Sequence, residues 1–354
     1  MKKSAEDLKS LAVGWGARAY LYARAAHYFV QLRTLQGLTR LFSEELPTRL
    51  RNPELEGQIV KSLFLLLDHD ASMFGDRTYP ASILKPESPL AHGARLVKLV
   101  QDGVRLQRQK RRGRTTEFSE HARDHVEEMP RYYRRNFHFQ RDGYLSSESA
   151  ELYEHQVEIL FGGAADAMRR MILEPLVARF GRGDGRGLRI LEIGAGTGRA
   201  SRMIRALYPK AHLTISELSD PYLKRARRQL GQCDRLDFVQ CAGEALPFQA
   251  AQFDAVVSVF LFHELPADVR GKVLEESIRV LKPAGVLAAV DSIQRHDAPE
   301  WSPMLDQFSV DFHEPYYRSY LDDPLEEKMR DCGAADVGSR TGFVSKLVWG
   351  ARPT

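Results

Sequence analysis

Glu192 leads a run in which Gly194, Gly196 and Gly198 alternate with other residues. Glycine lets a backbone adopt left-handed dihedrals, or lie against a ligand with no Cβ between them. Such a turn, between a strand and a helix, opens a nucleotide site. A dinucleotide loop would carry its third glycine at position 199, where this chain has Arg199. The G-x-G-x-G form lacks that phosphate cradle. About 20 positions further on stands Glu217, where a carboxylate can accept hydrogen bonds from two ribose hydroxyls. The run Phe260-Leu261-Phe262-His263-Glu264 sets a group that titrates near neutrality beside a carboxylate. Those are residue types of acid-base work, with His263 as general base and Glu264 orienting it or holding an acceptor. The alternative for His263 is a helix cap or a backbone hydrogen bond. Asp291, His296, Asp297, His313 and Glu314 add polar groups further along. None of their spacings is a metal motif, so no metal is expected.

These groups need a scaffold that brings them to one edge. Leu188 to Ile193 reads as a buried strand, followed by the glycine turn and a helix from about Ala200 to Leu207. His212 to Ser216 is a second strand ending at Glu217, and Pro221 to Leu230 a basic amphipathic helix. Leu236 to Cys241 and Phe253 to Val259 are further strands. Glu275 to Leu281 closes a helix, Lys282 to Gly285 makes a turn, and Val286 to Val290 is a fifth strand ending at Asp291. This alternation predicts a Rossmann-like α/β fold with helices on both faces of a parallel sheet. Ala335 to Arg340 and Phe343 to Gly350, separated by Thr341-Gly342, predict a closing antiparallel hairpin. Ligands of such sheets bind beyond the C-terminal strand ends. Those ends here are Gly194, Glu217, Ala242, Phe260 to Glu264 and Asp291.

The pieces Leu-Glu-Ile-Gly-Ala-Gly-Thr-Gly, Glu-Ala-Leu-Pro-Phe, Phe-Asp-Ala-Val and Arg-Val-Leu-Lys-Pro-Ala-Gly follow one another between residues 191 and 285. In this order the chain from about 185 to 354 resembles the class I S-adenosylmethionine-dependent methyltransferases. It is similar to their small-molecule branch, which includes ubiquinone and menaquinone C-methyltransferases. The resemblance implies S-adenosylmethionine as cofactor and in-line methyl transfer to a small organic acceptor. It implies that Glu192, Gly194, Ala195, Gly196 and Gly198 line the methionine end. Glu217 would hold the ribose, and Leu218, Gly243 and Glu244 the adenine. Phe260 and Tyr153 would touch the cofactor too. Tyr144, His138, Asp291, His313 and Tyr316 are the candidates for the acceptor. Tyr144 and Tyr153 could instead form a lid, or simply pack the two halves together. Two positions depart from the pattern. Ala242 replaces an aspartate that holds the adenine amino group, and Ala284 replaces a glycine. Drift of this kind also admits a different reaction on the same cofactor, such as cyclisation, elimination or decarboxylation. A non-catalytic or RNA-directed module is the other rival. The fourth strand lacks the Asp-Pro-Pro-Tyr or Asn-Pro-Pro-Tyr of amino-directed nucleic-acid methyltransferases, which argues against DNA.

The 354 residues allow two domains, and a hydrophobic content of 43% is ordinary. With 51 basic and 47 acidic residues, the net charge of +4 is too mild to argue for nucleic acid. Cys233, Cys241 and Cys332 form no CxxC pair and read as reduced thiols of a cytoplasmic protein. Lys2 to Asp7 is not followed by the apolar core of a signal peptide, so none is expected. Arg18, Arg24, Arg33 and Arg40 interrupt the apolar region from Leu11 to Phe42, so no membrane span is expected. Residues 1–146 read as a mostly α-helical accessory domain, shaping the acceptor pocket or a homodimer contact. Its helices would start after Ser4, span Glu54 to Leu67, and run from His92 to about Gln109. Residues 147–184 form a connecting helix and lid, and 185–354 the cofactor domain. The basic run from Arg105 to Arg114 offers an RNA or anion contact. It lacks interleaved aromatics, which favours a solvated surface.

Overall fold

In the computed structural model, residues 5–42, 52–84, 95–96, 98–99, 126–127, 129–134, 142–311 and 314–354 are described. His138, His313, the basic run and most of the expected third helix lie outside them. The chain begins with helices α1 (Ala5–Phe42) and α2 (Pro53–Gly75), followed by α3 (Ser147–Leu160), α4 (Ala165–Arg170) and α5 (Leu173–Phe180). Then β1 (Arg189–Ile193), α6 (Arg199–Leu207), β2 (His212–Glu217), α7 (Asp220–Leu230), β3 (Leu236–Gln240) and β4 (Phe253–Val259) alternate. Helix α8 (Ala267–Val280) leads to β5 (Leu281–Ser292). Helices α9 (Ser302–Asp311), α10 (Tyr317–Leu321) and α11 (Leu325–Asp331) precede β6 (Ala335–Gly342) and β7 (Ser345–Ala351).

The sheet order is β3-β2-β1-β4-β5-β7-β6. The first five strands are parallel. Strand β7 joins β5 and β6 antiparallel. Ile190, Leu191 and Ile193 are all buried, as expected of a strand covered on both faces. This is the Rossmann-like α/β sheet with its closing hairpin.

Two turns differ from the expectation. Strand β5 starts at Leu281 rather than Val286, because the Lys282-to-Gly285 turn is taken up inside the strand. Ala284 sits there at φ 57°. Its N–H bonds to the carbonyl of Arg352, which ties the irregular stretch to the far end of β7. The hairpin turn lies at Phe343-Val344, not Thr341-Gly342, since Gly342 already pairs with Ser345. Phe343 takes the left-handed conformation at φ 58°. Gly342 is small for another reason. A Cβ there would lie 2.8 Å from Met171 Sδ and 3.1 Å from Leu66 Cδ1.

The helical half adds no strand among the described residues, yet it shares the sheet's core. Ala17 and Leu21 of α1 and Leu66 and Leu67 of α2 belong to one apolar cluster with Ile190, Ile215 and Val257. Helices α1 and α2 cross at Gly14 and Gly75, where a Cβ on either would stand 3.2 Å from the other's Cα. Arg24 of α1 reaches Glu158 at 2.6 Å and Asp166 at 3.3 Å. Among the described residues no helix is long and apolar enough to cross a membrane.

Candidate active site

The glycine turn after β1 holds Gly194, Gly196 and Gly198 at φ 63°, 55° and 80°. These are left-handed values that cost other residues roughly 1–2 kcal/mol. A Cβ on Gly194 would press to 3.0 Å from Leu261. Gly196 faces open space. Its N–H donates to Glu217 Oε2 at 2.8 Å. Glu217 Oε1 accepts from Ser219 N–H, also at 2.8 Å. Burial raises the Glu217 pKa, and these backbone donors oppose it. Gly196 and Ser219 fill two of its roughly four lone-pair sites, and the Leu218 N–H also favours the carboxylate. Glu192, 1% exposed, accepts from the Ser201 hydroxyl. Burial pushes its pKa up to about 7, against that hydrogen bond.

Gly194 to Thr197, Glu217, Leu218, Gly243 and Glu244 line one pocket. Tyr132, Tyr133, Tyr144 and Tyr153 cover it. Tyr132 donates to Glu244 at 2.7 Å. Tyr144 donates to Glu264. The Tyr144 and Tyr153 rings meet Tyr222 edge-on at 5.2 and 5.7 Å. Burial raises the pKa of all three phenols, so they are neutral donors.

A second, mostly apolar cavity of about 400 Å³ adjoins the first. Val157, Leu160, Met304, Leu305, Phe308 and Phe343 form much of its wall. Tyr153 and Phe260 line both spaces, so the two meet there. Phe260 is held at φ 57°, a strained value for an aromatic residue. Its ring stacks on Phe161 at 6.3 Å, and the Arg169 guanidinium lies 5.5 Å from its centre.

His263 lines the apolar cavity and Glu264 the glycine-turn pocket. His263 Nδ1 lies 2.6 Å from Asp291 Oδ1. Burial disfavours the imidazolium, but the Asp291 carboxylate outweighs it, with help from Glu264 and Glu314, and lifts the His263 pKa to about 9. Asp291 also accepts from the N–H groups of Leu261, Phe262 and Ser292. His263, Glu264 and Glu314 each bring a potential ligand atom within 4.8 Å of the others. His296, Asp297 and Glu326 do the same. That second group already holds a cation: Lys346 Nζ is 2.8 Å from Glu326 and 3.1 Å from Asp297.

Residues 190–285 match the family model described as a methyltransferase domain. A fatty-acid O-methyltransferase of Mycolicibacterium smegmatis is 31% identical over 174 residues, 48% of this chain and 56% of that protein. A ubiquinone/menaquinone biosynthesis C-methyltransferase of Allorhizobium ampelinum is 32% identical over 165 residues, 45% of this chain and 59% of that protein. Over residues 190–285 the chain carries a methyltransferase domain, similar to those of class I S-adenosylmethionine-dependent methyltransferases. It spans a little over half the length of these two curated relatives. The fold is also that of human N-acetylserotonin methyltransferase, solved in complex with S-adenosylmethionine. That likeness has a TM-score of 0.50 and 14% identity over 77% of this chain and 74% of the other.

Within this methyltransferase domain, most residues expected at the cofactor do line the glycine-turn pocket: Glu192, Gly194, Ala195, Gly196, Glu217, Leu218, Gly243, Glu244, Phe260 and Tyr153. Gly198 does not. It precedes α6, where a Cβ would stand 3.0 Å from Ala226 of α7, so its smallness serves helix packing. The expected acceptor contacts fare differently. Asp291 is 0% exposed with its carboxylate committed to His263 and three backbone N–H groups, so it orients His263 and cannot touch an acceptor. Tyr144 lines the glycine-turn pocket instead of the apolar cavity. Tyr316 lines neither and packs on the Tyr144–Tyr222 cluster. Ala242 is not part of the wall, whereas its neighbours Cys241 and Gly243 are. Arg169 lines the pocket without having been singled out, and Tyr132 lines it too. Arg169 lies in no motif. Tyr132 belongs to an aromatic-rich stretch, and that density was the available signal.

Proposed function

We propose that this protein transfers the methyl group of S-adenosylmethionine to a small, largely apolar organic acceptor. The observation that carries the reading is the meeting of two unlike pockets at Tyr153 and Phe260. One offers a glycine turn, a carboxylate with lone pairs to spare and buried phenol donors. The other offers apolar walls. The donor set suits the cofactor. Glu217 would take the ribose hydroxyls, the open face of Gly196 the aminobutyrate chain, and Glu244 with Gly243 the adenine. When bound, S-adenosylmethionine supplies an electrophilic methyl whose leaving group is a neutral thioether.

The chain's own work is mainly alignment and exclusion of water. Phe260 and Tyr153 form the shared wall across which the two ligands face each other. His263, with its pKa near 9, holds its proton at neutral pH. Its Nδ1 is committed to Asp291, so Nε2, 3.9 Å from Glu264 Oε1, is the end that can donate a hydrogen bond on the acceptor side. This reverses the general-base role expected of it. Glu264, in the glycine-turn pocket and 3.9 Å from His263 Nε2, is the carboxylate to which we assign the proton that the acceptor loses. The three cysteines remain unbridged, in keeping with a reducing cytoplasm.

Calorimetric titration with S-adenosylmethionine and S-adenosylhomocysteine tests the reading. Micromolar-range binding is expected, weakened about 100-fold or more in Glu217→Ala, which loses a charged pair of hydrogen bonds. A panel of apolar alcohols, phenols and acids then identifies the acceptor by release of S-adenosylhomocysteine. A folded protein that binds neither ligand would refute the reading. Release of methylthioadenosine instead would assign a different reaction.

A further inference from the structure

Helix α1 lies outside the residues that match the methyltransferase-domain model, and none of its described residues lines either pocket. Its Arg24 is nevertheless the outer end of a chain of ion pairs that finishes in the glycine turn. Arg24 lies 2.6 Å from Glu158 of α3 and 3.3 Å from Asp166 of α4. Asp166 accepts two N–H groups of Arg199, from Nε at 2.8 Å and from Nη2 at 2.5 Å. Arg199 opens α6, and its Nη1 lies 3.2 Å from Glu154 Oε2 on α3. The other oxygen of Glu154 accepts from the Thr197 hydroxyl at 2.5 Å and from the Gln229 amide of α7 at 3.0 Å. Thr197 and Arg199 flank Gly198, so one carboxylate grips the turn on both sides of its last glycine.

Glycine loses more conformational freedom on folding than any other residue. A turn built on three of them therefore gains most from fixed flanks, and a prebuilt site binds its ligand without that ordering cost. In a buried ion cluster, loss of one member leaves its partners charged and unpaired. Without Arg24, Glu158 and Asp166 would have to share the remaining guanidinium groups, and Arg199 is the one that also holds the turn. The Asp70–Arg170 pair offers a contrast within the same helices. It is buried at least as deeply, at 2.6 Å, and joins α2 to α4. Neither residue lines the pocket, and the pair stands outside the chain of contacts that reaches Thr197.

We propose that Arg24 is a positioning residue for the glycine turn, acting through Asp166, Arg199 and Glu154, so that the seating of α1 and binding at the turn are coupled. The proposal rests on the S-adenosylmethionine reading above for the ligand that reports it. The coupling is reciprocal: a ligand that needs the ordered turn also tightens α1.

Calorimetric titration of the full chain with S-adenosylhomocysteine, beside hydrogen–deuterium exchange with and without that ligand, tests it. Arg24→Met should weaken binding about tenfold, an ordinary size for coupling through a side-chain network. In the ligand-free variant the amides of residues 195–200 should exchange about threefold faster or more. Arg24→Lys keeps a charge at the site and should show a smaller loss of both, which preserves the test if Arg24→Met does not fold. Asp70→Asn breaks a pair of similar depth. It should lower the melting temperature comparably, yet leave affinity and turn exchange within about twofold. In the natural protein, bound S-adenosylhomocysteine should slow exchange in α1 around Arg24. An Arg24→Met affinity within about twofold of the natural value overturns the proposal. So does an equal loss of affinity in Asp70→Asn, which would reduce the effect to general loosening. If the natural protein does not bind S-adenosylhomocysteine, the S-adenosylmethionine reading fails, and exchange in the ligand-free variants still decides the positioning role. Faster exchange at 195–200 in Arg24→Met than in Asp70→Asn upholds it, and equal rates overturn it.

Discussion

The two pockets that meet at Phe260 are built by opposite means. The glycine-turn pocket takes its shape mostly from backbone: positive-φ glycines, N–H groups aimed at Glu217, and strand ends set by sheet register. Its residues come mainly from one continuous stretch, Glu192 to Leu265, roofed by tyrosines from just upstream. The apolar cavity has almost no backbone chemistry. Its walls are side chains from α2, α3, α9 and the β6–β7 turn, brought together only by the finished fold. Backbone geometry admits few residue types at each position, whereas an apolar wall tolerates many. The first pocket should therefore fail sharply when a position is changed, and the second by degrees.

The largest effect is expected at the turn itself. Gly194→Val forces a β-branched residue to φ 63° and drives its Cβ toward Leu261. Affinity for S-adenosylhomocysteine should fall about 100-fold by calorimetry, with a lowered melting temperature. An unchanged affinity would remove the distinction between the two pockets.

At the junction, His263→Gln should lower kcat by about 100-fold and leave S-adenosylhomocysteine binding intact. It also carries a pH signature. The folded pKa of about 9 lies above the ordinary value of 6.5. The paired imidazolium therefore stabilises the fold fully below pH 6.5, and this contribution fades as pH rises through 9. The groups facing it, Asp291, Glu264 and Glu314, are carboxylates. The gap in unfolding free energy between the natural chain and His263→Gln should shrink by up to about 3 kcal/mol between pH 6 and 10. Denaturant melts across that range check the sign, and a gap that widens would contradict the pairing.

The smallest effect belongs to the apolar wall. Met304→Ala should raise KM for the acceptor about tenfold by removing apolar contact area, with cofactor affinity unchanged. Loss of cofactor binding there would mean that the two pockets are not separate in energy.

The same contrast explains what could be read from the sequence. Strand β4 lies at Phe253–Val259, as its apolar run predicts, and the spacing from the glycine turn to Glu217 locates the tip of β2. Both signals are local and follow from period and backbone conformation. Arg169 and the cavity walls were not legible, because nothing in their neighbourhoods marks which side chains the fold will bring together. Asp291 was placed at a strand tip correctly, but sequence could not show that four donors consume its oxygens. Gly198 and Gly342 looked like a ligand contact and a turn. Gly198 takes φ 80° and also has α7 against it, and Gly342 has Leu66 of α2 against it. A glycine's letter does not say whether it serves a dihedral or a neighbour.

Gly342 lies outside both pockets, yet it seats the β6–β7 hairpin against Met171 and Leu66, and the next two residues, Phe343 and Val344, line the apolar cavity. A side chain there would press on Met171 and Leu66, and whatever part of that strain the hairpin takes up would carry those two walls with it. Position 342 is thus a shim that sets the bore of the cavity from behind. On the proposed reading, the size of acceptor admitted would drift through a substitution that no ligand ever touches.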